Sequence, residues 1–245
     1  MLIEVIDESR KTSFVTRADR AEEELSRSLP FATVLSVWKD EVYFKAPIKL
    51  ESASKTYKIE LGKVYYWPPG SAICIFYGVS EPYTPVTYLG EFVGSLTTLK
   101  VVEDGDDGKV IIHEIDHSLS EVAEVLKSLG YDVGTPLVDG IRVVAASRYV
   151  GTLRFGFTLY VEPYGYYLES EELYKHCEDY IHLALAHRIK DMLSDCRFLR
   201  FDIDEDGYAV LTLGVNDLEE LKEGLRELEL KYPQIIGVVR SLPAY

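Results

Sequence analysis

Side-chain amides are nearly missing from this 245-residue chain, which holds one Asn (Asn216), one Gln (Gln234) and two Met beside 41 acidic residues. Depletion of heat-labile side chains with abundant charge is the composition expected of a thermophile's protein, and it concerns habitat, not activity. Cysteine is scarce as well. Cys74, Cys177 and Cys196 are odd in number and widely spaced, which excludes an even disulfide framework and points to a reducing compartment. Basic residues are outnumbered in both halves, 13 against 19 acidic through His117 and 13 against 22 beyond it, for a net charge of -15. With no basic stripe to neutralise phosphates, nucleic acid and anionic membrane are excluded as expected partners. No apolar run approaches the ~18 residues that span a bilayer, and the opening MLIEVIDESRKTSF has no apolar h-region. A cytoplasmic protein is expected. P-loop, GxGxxG and GxSxG strings are absent too, so no cofactor is expected from motif.

The residues present describe an ordinary globular chain, 47% hydrophobic and 27% charged, long enough for one large domain or two of common size. Residues 2–7 and 12–17 read as short strands, and Ala18–Leu29 as a helix stopped by Pro30. From Thr33 to Ile112 the signals are almost wholly β: Val34–Val37, Glu41–Lys49, Lys55–Leu61, Val64–Trp67, Ala72–Tyr77, Val86–Phe92 and Lys109–Ile115. Near residue 118 the pattern changes. SLSEVAEVLKSL predicts a helix ending at Gly130, followed by strands around Ile141–Ala146 and Leu153–Val161. A long helix is expected from about Glu171 to Leu193, then a hairpin (RFLRFDIDEDGYAVLTLGV), a helix over Asp217–Leu230 and a last strand over Ile235–Arg240.

Three strings, VYFKAPI (42–48), LGKVYYWPPGSAICIFYG (61–78) and LGEFVGSLTTL (89–99), resemble an uncharacterised prokaryotic family with a cyclophilin-like β-barrel. The resemblance covers about the first 115 residues. It implies a closed eight-stranded barrel capped by short helices, and no established activity. Cyclophilins proper are peptidyl-prolyl isomerases, and their GSQFF-type strand is similar to Gly70–Cys74. Their groove-lining Gln falls on Ala72 and their pocket-walling Phe on Cys74. Where their essential Arg belongs, within Val42–Lys45, Lys45 is the nearest cation. An ammonium does not replace the planar fork of a guanidinium. Isomerase residues are therefore not matched.

Strand alternation gives an independent view of the same stretch. Ile73, Ile75 and Tyr77 share one face and belong inside a barrel. Ala72, Cys74 and Phe76 share the other, expected to line a shallow apolar groove with Tyr43 and Lys45. Elsewhere, Asp202, Asp204, Asp206 and Gly207 imitate a calcium loop, but Leu213 stands where a bidentate Glu is required. Turn chemistry in a hairpin explains the same residues. His113 and His117 on an extended strand would lie about 13 Å apart at roughly 3.3 Å per residue, too far to share a metal. His176, His182 and His187, expected on the long helix, form no i, i+4 pair. No metal site is expected. Tyr164, Tyr166 and Tyr167, clustered around Gly165, are candidates for an interface, against a hairpin folding back on its own core.

The sequence thus describes an α+β protein: a cyclophilin-like closed β-barrel over residues 1–117, then a mixed α/β domain with an antiparallel sheet over 118–245. The expected function is a non-catalytic or weakly catalytic module whose barrel groove takes a small molecule or peptide, with the second domain supplying either homodimerisation or a second wall. The rivals are an enzyme, either a residual isomerase or an amide hydrolase, and a structural subunit.

Overall fold

Period-two alternation runs through the first 112 residues and closes on itself. A computed structural model describes residues 1–50 and 54–241. Eight antiparallel strands are formed by Leu2–Asp7 (β1), Thr12–Ala18 (β2), Phe31–Trp38 (β3), Glu41–Lys45 (β4), Lys63–Trp67 (β5), Ala72–Phe76 (β6), Thr87–Val93 (β7) and Asp107–Ile112 (β8). They close a barrel in the order β1-β2-β7-β5-β6-β4-β3-β8, so that no strand edge is left free. Its interior is packed with Val5, Phe14, Leu35, Phe44, Ile73, Ile75 and Phe92, among others. A short helix, α1 (Glu22–Ser28), adds Leu25 to that core.

By contact, the chain divides into two units, Met1–Ser147 and Arg148–Tyr245. The first therefore holds more than the barrel. After β8 come α2 (Ser120–Ser128), β9 (Asp132–Gly134), a small hairpin of β10 (Leu137–Val138) and β11 (Ile141–Arg142), and the start of β12 (Val144–Val150). Polar bonds tie this segment to the barrel. Glu4 of β1, 2% exposed, accepts hydrogen bonds from Ser13 Oγ at 2.6 Å and Arg142 Nη1 at 2.5 Å, and pairs with His113 Nδ1 at 3.0 Å. His113 Nε2 in turn accepts from the Thr135 amide at 2.9 Å, and Ser13 Oγ from the Leu137 amide at 2.7 Å. Each member of the network is satisfied, as burial of a carboxylate requires.

The second unit is built on an antiparallel sheet of β13 (Leu153–Glu162), β14 (Gly165–Ser170), β15 (Tyr174–Lys175), β16 (Leu199–Ile203) and β17 (Tyr208–Val215). β14 pairs with β13 and β17, while β15 and β16 both pair with β17. Two helices accompany it, α3 (Tyr180–Met192) and α4 (Leu218–Arg240). Each starts on an aspartate: Asp179 accepts from the His182 amide, and Asp217 from the amides of Glu219 and Glu220. Among the described residues no helix is long and apolar enough to cross a membrane.

The α+β reading stands, barrel first and helix-covered sheet second. Several local expectations do not. Lys55–Leu61 alternates like a strand, but only Thr56 bridges, to Val86, and its hydroxyl is spent on a turn with Lys58. Residues 171–179 are not helical, because Asp179 starts α3 later. Ile235–Arg240 is the last part of α4 instead of a strand. The helix passes through Pro233, with Tyr232 and Ile235 buried on either side of it. Packing of that stripe outweighs the hydrogen bond that proline removes.

Candidate functional site

The outer face of one barrel sector carries its own small core. In the β4–β6 register Tyr43 stands opposite Cys74, Lys45 opposite Ala72 and Glu41 opposite Phe76. Opposite residues share a face, and β5 adds Tyr65 and Trp67 to it, opposite Cys74 and Ala72. On the other side β3 brings Trp38 opposite Glu41. Tyr65, Cys74, Phe76 and Val86 are buried together, with Tyr43, Ile59, Trp67 and Tyr88 packed around them. Their rings meet edge to face: Tyr43–Trp67 at 6.5 Å and Tyr65–Phe76 at 6.2 Å between centroids.

Above this patch lies a cavity of about 370 Å³ lined by Trp38, Glu41, Tyr43, Trp67, Cys74, Pro82, Tyr83 and Val86. That volume falls in the range of small-molecule sites, roughly 300–1,000 Å³. The chain has two tryptophans, and both stand in its wall. Trp67 is fixed by its indole N–H, which donates to Thr84 Oγ1 at 2.6 Å. The WPPG string sets this up locally. Pro68–Gly70 form a single tight turn between β5 and β6, with Ser71 in the left-handed region at φ 48°. A methyl group at Gly70 would run into the six-membered ring of Trp67. Tyr83, 85% exposed, leaves the cavity's outer side open.

One acid stands among these apolar walls. Glu41 is 7% exposed. Burial raises its carboxyl above the usual range, and a hydrogen bond with the Cys74 thiol offsets only part of that shift. Among the described residues, no cationic side chain contributes to its ionisation. The Cys74 thiol is pushed well up by burial and by the Glu41 charge, so it is protonated and a poor nucleophile. Nearby, the Lys39 ammonium sits 4.3 Å from the ring centre of Trp38, a cation on an aromatic face.

Of the residues expected in the groove, Tyr43 and Cys74 line the cavity. Ala72 and Phe76 share their face but are buried at 1% and 0% exposure, beneath the lining. Lys45 is exposed and opens onto a wider neighbouring groove of about 970 Å³, of which Tyr43 is also a wall. Trp38, Glu41, Trp67, Pro82, Tyr83 and Val86 were not anticipated. The alternation around Trp38 and Glu41 was visible, but only the barrel's strand order brings them beside Cys74.

The tyrosine cluster lies on the β13–β14 hairpin. Tyr164 sits at its tip, 75% exposed, while Tyr167 stands opposite Tyr160 with ring centres 6.2 Å apart. Tyr166 pairs with Val161 and Val215. The acidic run is the β16–β17 hairpin turn. Asp204 accepts from the Tyr208 amide at 2.7 Å, and Asp202 from that of Ile203 at 2.9 Å. The Asp206 carbonyl receives the Lys175 ammonium.

Comparison with known proteins bears on the first unit. Residues 1–113 match the family model described as Cyclophilin-like. Among solved structures, the hypothetical protein AF2241 from Archaeoglobus fulgidus is 28% identical with a TM-score of 0.37, over 45% of this chain and 93% of that one. McbB in complex with tryptophan is 15% identical with a TM-score of 0.37, over 45% of this chain and 44% of that one. The chain thus spans under half the length of McbB. No curated protein matches.

Proposed function

We propose that the barrel is a binding module for a small organic molecule carrying an amine cation on an apolar body. One observation carries this reading: a buried carboxyl without a cationic partner on the floor of a cavity walled by Trp38, Tyr43, Trp67 and Tyr83. Aromatic faces attract cations by about 0.5–2 kcal/mol each, and more as water is excluded. A bound ammonium would also favour the ionised form of Glu41, which burial alone opposes. The apolar walls take the rest of the ligand. Cys74 serves as a filler and hydrogen-bond partner, not as a reacting group.

The test is a titration of the full chain with aromatic and alkyl amines, each beside its neutral isostere, followed through the emission of the two tryptophans. Amines are expected to bind at least tenfold better than their isosteres, a preference that Glu41→Gln removes. Equal binding of both, or binding of neither, overturns the assignment.

A second reading, the amide hydrolase or residual isomerase, draws on the same acid, since a carboxyl raised by burial inside a cavity suits general acid–base work. Turnover of a proline peptide or an amide that Glu41→Gln abolishes would favour it over simple binding.

A further inference from the structure

His176 and His182, on opposite sides of the α3 boundary, fold onto each other. Residues 174–175 are paired to β17 as an edge strand, the chain turns through residues 176–179, and α3 begins at Tyr180. This brings Tyr174, His176 and His182 into one ring cluster. Tyr174 stacks on His182 at 5.5 Å between centroids with 13° between planes, and His176 lies 6.1 Å from His182. Cys177 and Asp179 occupy the turn. Among the described residues, the donor atoms of Cys177, Asp179 and His182 all lie within 4.8 Å of one another.

We propose that Cys177, Asp179 and His182 bind a borderline-soft divalent cation of the Zn²⁺ class, with His176, whose ring centre lies 6.1 Å from that of His182, turning in as fourth donor. The donor set decides the class: thiolate and imidazole favour zinc-like ions, while calcium or magnesium would require an all-oxygen shell. Asp179 Oδ2 and His182 Nδ1 are 2.7 Å apart, within hydrogen-bond distance. Bonds of about 2.0 Å at tetrahedral angles set two such donors about 3.3 Å apart. Widening that pair by well under 1 Å lets both groups share one ion. The second, independent observation is His176. Its Nδ1 is buried without a hydrogen-bond partner, at a place where an imidazole nitrogen otherwise finds one. Cys177 is exposed, so an ion reaches it without opening the fold. Bound metal would fasten the β15 edge to the first turn of α3.

Titration of the reduced full chain with Co²⁺, then Zn²⁺, tests the site. One equivalent of Co²⁺ is expected to give a thiolate-to-cobalt charge-transfer band with tetrahedral visible bands, both displaced by Zn²⁺. Cys177→Ser should abolish the charge-transfer band and Cys196→Ser keep it. His182→Ala and His176→Ala should each weaken binding at least tenfold, and His187→Ala leave it unchanged. Circular dichroism confirms that each variant is folded. Absence of the band, its survival in Cys177→Ser, or full affinity in either histidine variant overturns the proposal.

Discussion

Glu41 and Cys74 share a hydrogen bond in the aromatic-walled cavity that favours the ionised Glu41 carboxyl, while the Glu41 charge holds the Cys74 thiol protonated. Burial raises the Glu41 carboxyl and the Cys74 thiol alike. The pair is thus held at a cost to the fold.

That cost has a sign. The folded Glu41 carboxyl titrates above its ordinary value of 4.5. As pH rises past the ordinary value, the unfolded chain ionises first and the fold loses stability until the folded carboxyl has also ionised. The penalty is therefore complete at neutral pH and absent in acid. Glu41→Gln is expected to stabilise the first unit at pH 7 by about 1 kcal/mol, roughly 2–4 °C for a chain of this size. Below pH 4 the difference should vanish. Calorimetry at the two pH values reads it, and a variant less stable than wild type at pH 7 contradicts the assignment.

Glu4 behaves in the opposite way. Burial raises its carboxyl, but hydrogen bonds from His113, Ser13 and Arg142 outweigh burial and hold it below the ordinary value. Its stabilisation is present above the ordinary 4.5 and is lost as pH falls through the lower folded value. Removing one partner of a buried charge network costs about 3–5 kcal/mol. Glu4→Gln should cost about 3 kcal/mol in urea unfolding at pH 7, and the gap should narrow as pH drops below about 4. A gap that stays constant with pH would show that the loss is steric.

Thiol titration separates the cysteines. Cys74 is buried with its thiol well raised, Cys177 is exposed and Cys196 is partly exposed. At pH 8 a disulfide reagent should modify Cys177 and Cys196 within minutes and reach Cys74 only on unfolding. Rapid reaction of Cys74 in the native chain would mean that its thiolate forms readily, and would revive a nucleophilic role.

Gly70→Ala addresses the wall. Its methyl meets the Trp67 ring, so the indole must leave its bond to Thr84. Emission is expected to shift to the red and amine binding to fall about tenfold, the loss of ~1.4 kcal/mol, while the barrel's circular dichroism is unchanged. Unaltered emission would place Trp67 elsewhere.

Much of the barrel was legible because its strands alternate strictly, and alternation alone put Tyr43 and Cys74 on one outward face. It could not reveal Trp38, Glu41 and Trp67 as their neighbours. They come from strands whose adjacency depends on the closed order β3-β4-β6-β5, a long-range fact. The α3 boundary was written in the chain: Asp179 lies three residues before His182, whose amide it caps, but the apolar stripe through Leu173 and Cys177 masked it. At the other end, the β-branched run after Pro233 looks like a strand, and only burial of Tyr232 and Ile235 shows why it continues as helix.

The network around Glu4 has a practical consequence for anyone dissecting this chain. The family match ends at residue 113, and the eighth strand at Ile112, so a fragment cut there would look complete. It would keep His113 yet lose the Thr135 amide that steadies the imidazole and the Arg142 guanidinium that balances the carboxylate. The stretch shared with a known family therefore ends short of the residues that complete the buried network of β1.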